Sequence, residues 1–312
     1  MFQIKYNLER SIVINKDLDS VYECVSNFDT WNEWSPWLCL EKNAEVQIGG
    51  DAQNVGHKQK WKGTRIGEGE MLLANLEINK SLHYDLKFLK PFKSEAKVDF
   101  FFEKQAKGTK LRWAMQSSVP VYLFFLKEML AAMLGNDFER GLSMLKEFLE
   151  TGEVLSEIEM LGKVEKPGFH YLGVRRSSSI DELPKIMQQD FERIQKYMQE
   201  GKIKNSNQMI SFYHKFDFMR NQAIYTNAVV YESQQGSYTE LQSGYVPKHH
   251  CAQVLHTGAY ENIGNAWSAI MNYQRHEKLK ANKNIPWYEW YVNSPKQVEK
   301  RNLKTSINLP IK

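Results

Sequence analysis

One carboxylate stands inside an aromatic run, Pro286-Trp287-Tyr288-Glu289-Trp290-Tyr291-Val292. Aromatic and β-branched residues opened by a proline read as a strand. Alternate strand residues share a face, so Trp287, Glu289 and Tyr291 point one way and Tyr288, Trp290 and Val292 the other. Both faces are apolar apart from Glu289, which places that acid on a buried or concave wall. A buried carboxylate either shifts its pKa or meets a cation. Among aromatic rings it suits a cationic or electrophilic small molecule. The competing reading is a salt-bridged structural acid.

A second cluster, His249-His250-Cys251, has the residue types of a metal site. In a strand the three side chains alternate between faces and cannot converge on one ion, so no metal is expected there. His57 and His83 lie in strand-like stretches without a ligand constellation. There is no glycine-rich phosphate loop and no nucleophile elbow, and no cofactor is expected.

The elements that position Glu289 occur twice. Phe169 to Val174 reads as a strand, Ser177 to Ser179 supply caps, and Leu183, Ile186, Met187, Phe191, Ile194 and Met198 form a helical stripe ending at Gly201. Met209 to His214 and Ala223 to Tyr231 follow as strands. The second copy runs through the strand Ala252 to His256, a stripe of Ile263, Ala266, Trp267, Ile270 and Met271, and the strands Glu289 to Val292 and Thr305 to Leu309. Two βαββ units related by a pseudo-twofold predict one curved antiparallel sheet with both helices on one face and a groove on the open face. Aligning the copies on Tyr213 and Tyr291 sets Ser211 opposite Glu289, so the repeated core does not need the carboxylate. Tyr260 and Trp267 either reach the groove or pack the helix.

The first half has a different rhythm. Ser11 to Asn15 reads as a strand, Asp17 and Asp19 as N-caps, and Val21, Tyr22, Val25 and Phe28 as an amphipathic helix. Trp31-Asn32-Glu33-Trp34-Ser35-Pro36-Trp37 follows. From Leu40 to Ser118 short alternating runs are separated by turn signals, which predicts antiparallel neighbours. Leu134, Phe138, Leu142, Leu145, Phe148 and Leu149 then make one long helical stripe that stops at Gly152. Strand, helix, antiparallel strands and a final long helix describe a helix-grip fold, in which a curved sheet wraps the last helix and commonly leaves a cavity. The expected class is therefore α+β. Its domains are 1–152 and 168–312, and residues 153–167, with Lys166-Pro167-Gly168, form the linker.

Both halves resemble known families. His256-Thr257-Gly258-Ala259-Tyr260-Glu261, the helix with Trp267, the Glu289 strand and Leu303 to Pro310 look like a GyrI-like small-molecule-binding domain, also called an AraC-type effector-binding domain. Asn293-Ser294-Pro295 departs from its pattern, with Ser294 where an acid is usual. The resemblance implies that Glu289 contacts ligand, in a domain type known for multidrug binding. Val21-Tyr22 ahead of the tryptophan cluster, Trp61 with Gly63, Gly67-Glu68-Gly69, and Asp137 to Lys146 are similar to a bacterial branch of the START and polyketide-cyclase-like superfamily, SRPBCC. That superfamily spans binding proteins, transfer proteins and enzymes. Trp34, Trp37 and Trp61 either line its cavity or pack the core.

Composition bounds the rest. At 312 residues with 42% hydrophobic and 25% charged residues, the chain reads as two ordinary globular domains. A net charge of +4 gives no basis for direct nucleic-acid binding. Val119 to Leu126 and Met129 to Leu134 are too short and too interrupted for a membrane span. The first residues lack a signal-peptide pattern, and the three scattered cysteines fit a reducing cytoplasm. The resulting expectation is a cytoplasmic small-molecule-binding protein. It takes a lipophilic ligand in the N-terminal cavity and an aromatic or cationic one in the C-terminal groove, where Glu289, Trp287, Trp290, Tyr291, Tyr260 and Trp267 are the contacts. The resemblance also implies two rivals. One is a hydrolase of electrophilic, cyclopropane-type toxic compounds, with Glu289 as general base and Tyr260 or Tyr291 as hydrogen-bond partner. The other is a ligand-sensing regulator that acts through a partner.

Overall fold

The computed structural model describes residues 3–200, 203, 208–217, 220–231 and 241–312. The chain divides into two compact units, Met1–Val154 and Leu155–Lys312. It is α+β, with one antiparallel sheet in each unit. The helix stop expected at Gly201 lies outside the described residues.

The first unit runs β1 (Gln3–Ile14), α1 (Leu18–Ser26), α2 (Trp31–Trp34), β2 (Glu45–Gly49), β3 (Lys58–Lys62), β4 (Glu68–Glu77), β5 (Ser81–Lys90), β6 (Ser94–Gln105), β7 (Gly108–Pro120) and α3 (Lys127–Thr151). Its sheet has the order β1-β7-β6-β5-β4-β3-β2. β1 begins at Gln3 rather than Ser11, because Tyr6 and Leu8 continue the buried alternation opposite Ser117 and Met115 of β7. Asp17 caps α1 by accepting the Ser20 amide at 2.8 Å. The final helix begins at Lys127, earlier than its apolar stripe suggested. It stops where Gly152 takes a left-handed φ of 89° and donates its amide to Phe148 at 2.8 Å.

The core of this unit is aromatic. Trp113 of β7 stacks on Phe138 of α3 with centroids 4.1 Å apart, and on Phe100 of β6 at 5.0 Å. Trp31 and Trp34 close against each other at 4.6 Å. These rings fill the space between sheet and helix around Trp113. Each large apolar side chain buried this way is worth about 1.5–3 kcal/mol.

The second unit runs β8 (Ser156–Lys166), β9 (Phe169–Ser178), α4 (Leu183–Gln199), β10 (Gln208–Asp217), β11 (Gln222–Tyr231), β12 (Gln242–Val246), β13 (His249–Gly258), α5 (Ile263–His276), β14 (Trp287–Tyr291) and β15 (Lys304–Ile311). The segment expected to be a linker is instead largely strand β8, paired to β13. Its alternation of Ile158 and Met160 with charged residues is that of an edge strand with one covered face.

The order β12-β9-β11-β10-β14-β15-β13-β8 makes the duplication visible. Repeat β9-α4-β10-β11 meets repeat β13-α5-β14-β15 across the antiparallel pair β10–β14. In that pair Ser211 lies opposite Glu289, with Tyr213 opposite Trp287 and Met209 opposite Tyr291. The pseudo-twofold therefore passes between a serine and a glutamate. Both helices cover one face of the sheet. The other face carries the cluster of Phe169, Phe212, Tyr288 and Trp290.

Candidate functional site

Alternation along β14 turns Trp287, Glu289 and Tyr291 towards the helix-bearing face. The expected groove on the open face is corrected accordingly: the carboxylate lies where α4 and α5 approach the centre of the sheet. Phe191 of α4 meets the Tyr291 ring at 5.4 Å, and Trp267 of α5 meets Trp287 at 6.1 Å and Tyr213 at 5.5 Å. Tyr260, in the 3-10 turn before α5, packs on Tyr291 at 5.7 Å.

Glu289 is 3% exposed. Trp267 Nε1 donates to its Oε1 at 2.6 Å, and Tyr291 Oη lies 2.6 Å from its Oε2. Among the described residues no Lys, Arg or His forms an ion pair with it. Burial raises its carboxyl above the ordinary range, and hydrogen bonds from Tyr291, Trp267 and Tyr213 pull against burial without cancelling it. The tyrosines respond in the same sense. Burial, then the field of Glu289, pushes Tyr260 up to about 12 and holds Tyr213 and Tyr291 well above the phenol range. Trp287, Tyr291, Tyr260 and Trp267 are half-buried. The arrangement is thus a buried acid under four partly accessible rings.

The predicted residues sort into three groups. Trp287, Tyr291, Tyr260 and Trp267 gather around Glu289. Trp290 does not. It sits on the opposite face against Phe169 at 5.0 Å, because strand neighbours point apart. In the first unit, Trp34 is fully buried between Trp31 and Trp113, while Trp37 donates to Asp137 at 3.2 Å and packs on Trp113. Trp61 packs separately against Phe88 at 6.1 Å. His249 and Cys251 share a face, where His249 meets Tyr288 Oη at 3.1 Å, and exposed His250 points the other way.

Several residues near the acid are not evident from the tryptophan-rich strand. Tyr213 is the repeat mate of Tyr291. Ser211 Oγ lies 3.2 Å from Tyr291 Oη and donates to Asn227 Oδ1 at 2.7 Å. Asn227 Nδ2 donates to Asp190 Oδ2 at 3.2 Å, and Arg176 Nε donates to Asp190 Oδ1 at 2.6 Å. Asp190 and Asn227 carry a readable signal, since each is a polar residue at an apolar slot of its helix or strand. His256 is also buried, 3.1 Å from Ser156 Oγ. Burial drives it down to about 4, so its imidazole is neutral.

A family model described as a GyrI-like small molecule binding domain matches residues 162–312. One described as polyketide cyclase / dehydrase and lipid transport matches residues 5–150. No curated relative matches this chain. Similar solved structures include the EcmrR C-terminal domain, 13% identical over 51% of this chain and 99% of that one, with a TM-score of 0.41. The Aha1 dimer from Colwellia psychrerythraea is 21% identical over 47% and 98%, with a TM-score of 0.35. Protein SA2116 from Staphylococcus aureus is 16% identical over 48% and 96%, with a TM-score of 0.39. No helix among the described residues is long and apolar enough to cross a membrane.

Proposed function

Since the chain joins a domain of the polyketide cyclase and lipid transport type to a GyrI-like small-molecule-binding domain, we propose that its second unit binds flat aromatic cations over Glu289. The observation that carries this reading is the acid itself, nearly sealed from water and, among the described residues, hydrogen-bonded only by neutral groups and without an ion-pair partner. A cation entering between Trp267, Trp287, Tyr260 and Tyr291 would meet ring faces and a counter-charge together. The first unit would contribute a lipophilic ligand site. Its exposed apolar side chains Phe124 and Phe125, in the 3-10 turn before α3, and Met129 and Met133, at the start of α3, offer a contact surface for one. A reducing cytoplasm suits the three free cysteines of the whole chain.

The test is Glu289→Gln, which keeps the shape and removes the charge. Affinity for aromatic cations falls by roughly 1.5–3 kcal/mol, the scale of a charged hydrogen bond, while folding is retained. Unchanged affinity would make Glu289 a structural acid.

The contact between Tyr291 Oη and Glu289 Oε2 favours one second reading, hydrolysis of an electrophilic cyclopropane-type compound. A carboxyl held above its ordinary range is closer to the pKa a general base needs. In that case Glu289→Gln loses turnover and keeps the binding of a neutral analogue.

A further inference from the structure

The hydrogen bonds around Glu289 have a direction, and it is fixed from the far end. Arg176 donates to Asp190, so that carboxylate accepts. Asn227 must then turn its NH₂ towards Asp190, which leaves Oδ1 facing Ser211. An amide oxygen only accepts, so Ser211 spends its single proton on Asn227. Ser211 Oγ can therefore only accept from Tyr291.

Tyr291 also has one proton and two acceptors to choose between, Ser211 Oγ and Glu289 Oε2; the Tyr213 phenol stands beside Tyr291 and Glu289 and can donate to them in either charge state. If Glu289 is ionised, Tyr291 must donate to it. Two hydroxyl oxygens then face each other at 3.2 Å with no hydrogen between them. If Glu289 is protonated, Oε2–H donates to Tyr291 and Tyr291 donates to Ser211. Every member of the chain is then satisfied, while Trp267 still donates to Oε1.

We infer that the resting site is loaded with a proton on Glu289, held there by the Ser211–Asn227–Asp190–Arg176 chain, and that an aromatic cation enters by exchange for that proton. The exchange half rests on the cation-binding reading above; the loaded proton does not. On exchange the proton leaves Oε2 for the buffer and the Tyr291 hydroxyl turns from Ser211 to the new carboxylate. Every element around the acid agrees with this state. β14 and β10 present the phenols of Tyr291 and Tyr213, the turn before α5 presents Tyr260, α5 presents an uncharged indole, and β15 presents Ile307. The one cation of the network, Arg176, is spent on Asp190, which faces the site from α4. Burial favours the neutral acid independently. Ser211, Asn227 and Asp190 act through Tyr291 and are positioning residues.

Infrared difference spectroscopy of the full chain decides the matter without a ligand. At neutral pH the wild type minus Glu289→Gln spectrum should contain a protonated carboxyl stretch that disappears on raising the pH. Ser211→Ala removes the acceptor for Tyr291, so the same band should titrate away at lower pH, a shift that loss of a purely structural serine would not produce. A carboxylate signal in place of the band, or a titration unmoved by Ser211→Ala, would overturn the inference. Calorimetry with N-methylquinolinium in buffers of different ionisation enthalpy reads the exchange, with about one proton released per cation bound. Binding without proton release would overturn the exchange. No binding at all would instead remove the cation-binding reading and leave the infrared result standing.

Discussion

Glu41 in the first unit and Glu289 in the second are both nearly sealed from solvent, at 5% and 3% exposure. Their surroundings differ in kind. Glu41 accepts three backbone amides, from Thr64 at 2.9 Å, Arg65 at 2.8 Å and Ile66 at 3.1 Å. Burial would raise its carboxyl, but those donors outweigh burial and bring it below the ordinary range. Glu289 meets two side-chain donors at 2.6 Å, one of them a hydroxyl that can also accept, and burial wins. Backbone amides cannot accept a proton, so Glu41 is useful to the fold only as an anion. A phenol can give or take one, so the site at Glu289 accommodates either charge state. The first carboxylate ties down a turn, and the second keeps a charge in reserve.

The largest effect that would sharpen this contrast is on stability. Glu41→Ala removes a charged acceptor from three amides at once and should cost about 3 kcal/mol, the upper end for hydrogen bonds to a charged group. Urea unfolding at neutral pH measures it. A cost within error of zero would mean that water replaces the carboxylate and that Glu41 has no structural role.

The next effect is a difference of sign. Glu41 titrates below its unfolded value, so its stabilisation is complete above the unfolded carboxyl range near 4.5 and is lost as pH falls through its folded value. Glu289 titrates above its unfolded value. Its favourable contribution is complete below about 4.5 and is lost as pH rises through the folded value. Glu41→Gln should therefore flatten the stability profile below about 4.5, and Glu289→Gln the profile above it. If both variants flatten the same part of the profile, the two sites are alike and the comparison fails.

The same contrast explains what was legible in the sequence. Period-two and helical stripes, read with the repeat, led to both sheets, the long helix and the Ser211–Glu289 correspondence, because those patterns record burial directly. The aromatic strand marked Glu289, and alternation alone separated Trp290 from it. Strand β8 escaped notice because its charged alternate residues and Lys166-Pro167-Gly168 have the composition of a linker, although Ile158 and Met160 keep the period. The face of the groove was misplaced because local spacing says which residues share a side of the sheet, never which side a helix will cover. The path from Tyr291 to Arg176 was unreadable for a further reason. Its members come from five elements, and the direction of their hydrogen bonds exists only once the chain has folded.

The smallest effect asks about charge through the size of a loss. Trp267→Phe keeps a ring against Trp287 and deletes the N–H given to Glu289 Oε1, together with some ring packing whose loss does not vary with pH. A hydrogen bond to a neutral acid is worth about 0.5–1.5 kcal/mol and one to a charged group about 1.5–3. With the proton in place, the lost hydrogen bond should add about 1 kcal/mol to that constant packing cost at neutral pH or below. As pH rises and wild-type Glu289 ionises, the indole comes to serve an anion, and the penalty should grow. Chemical unfolding of both proteins across that range reads the trend. At Glu41 the corresponding loss has the same sense but lies lower on the pH scale, since its donors matter most while the carboxylate is charged and cease to matter only once acid protonates it. A Trp267→Phe penalty that is large at neutral pH and shrinks only in acid would place Glu289 in the same class as Glu41, an anion held by its donors, and the proton in the site would have to be abandoned.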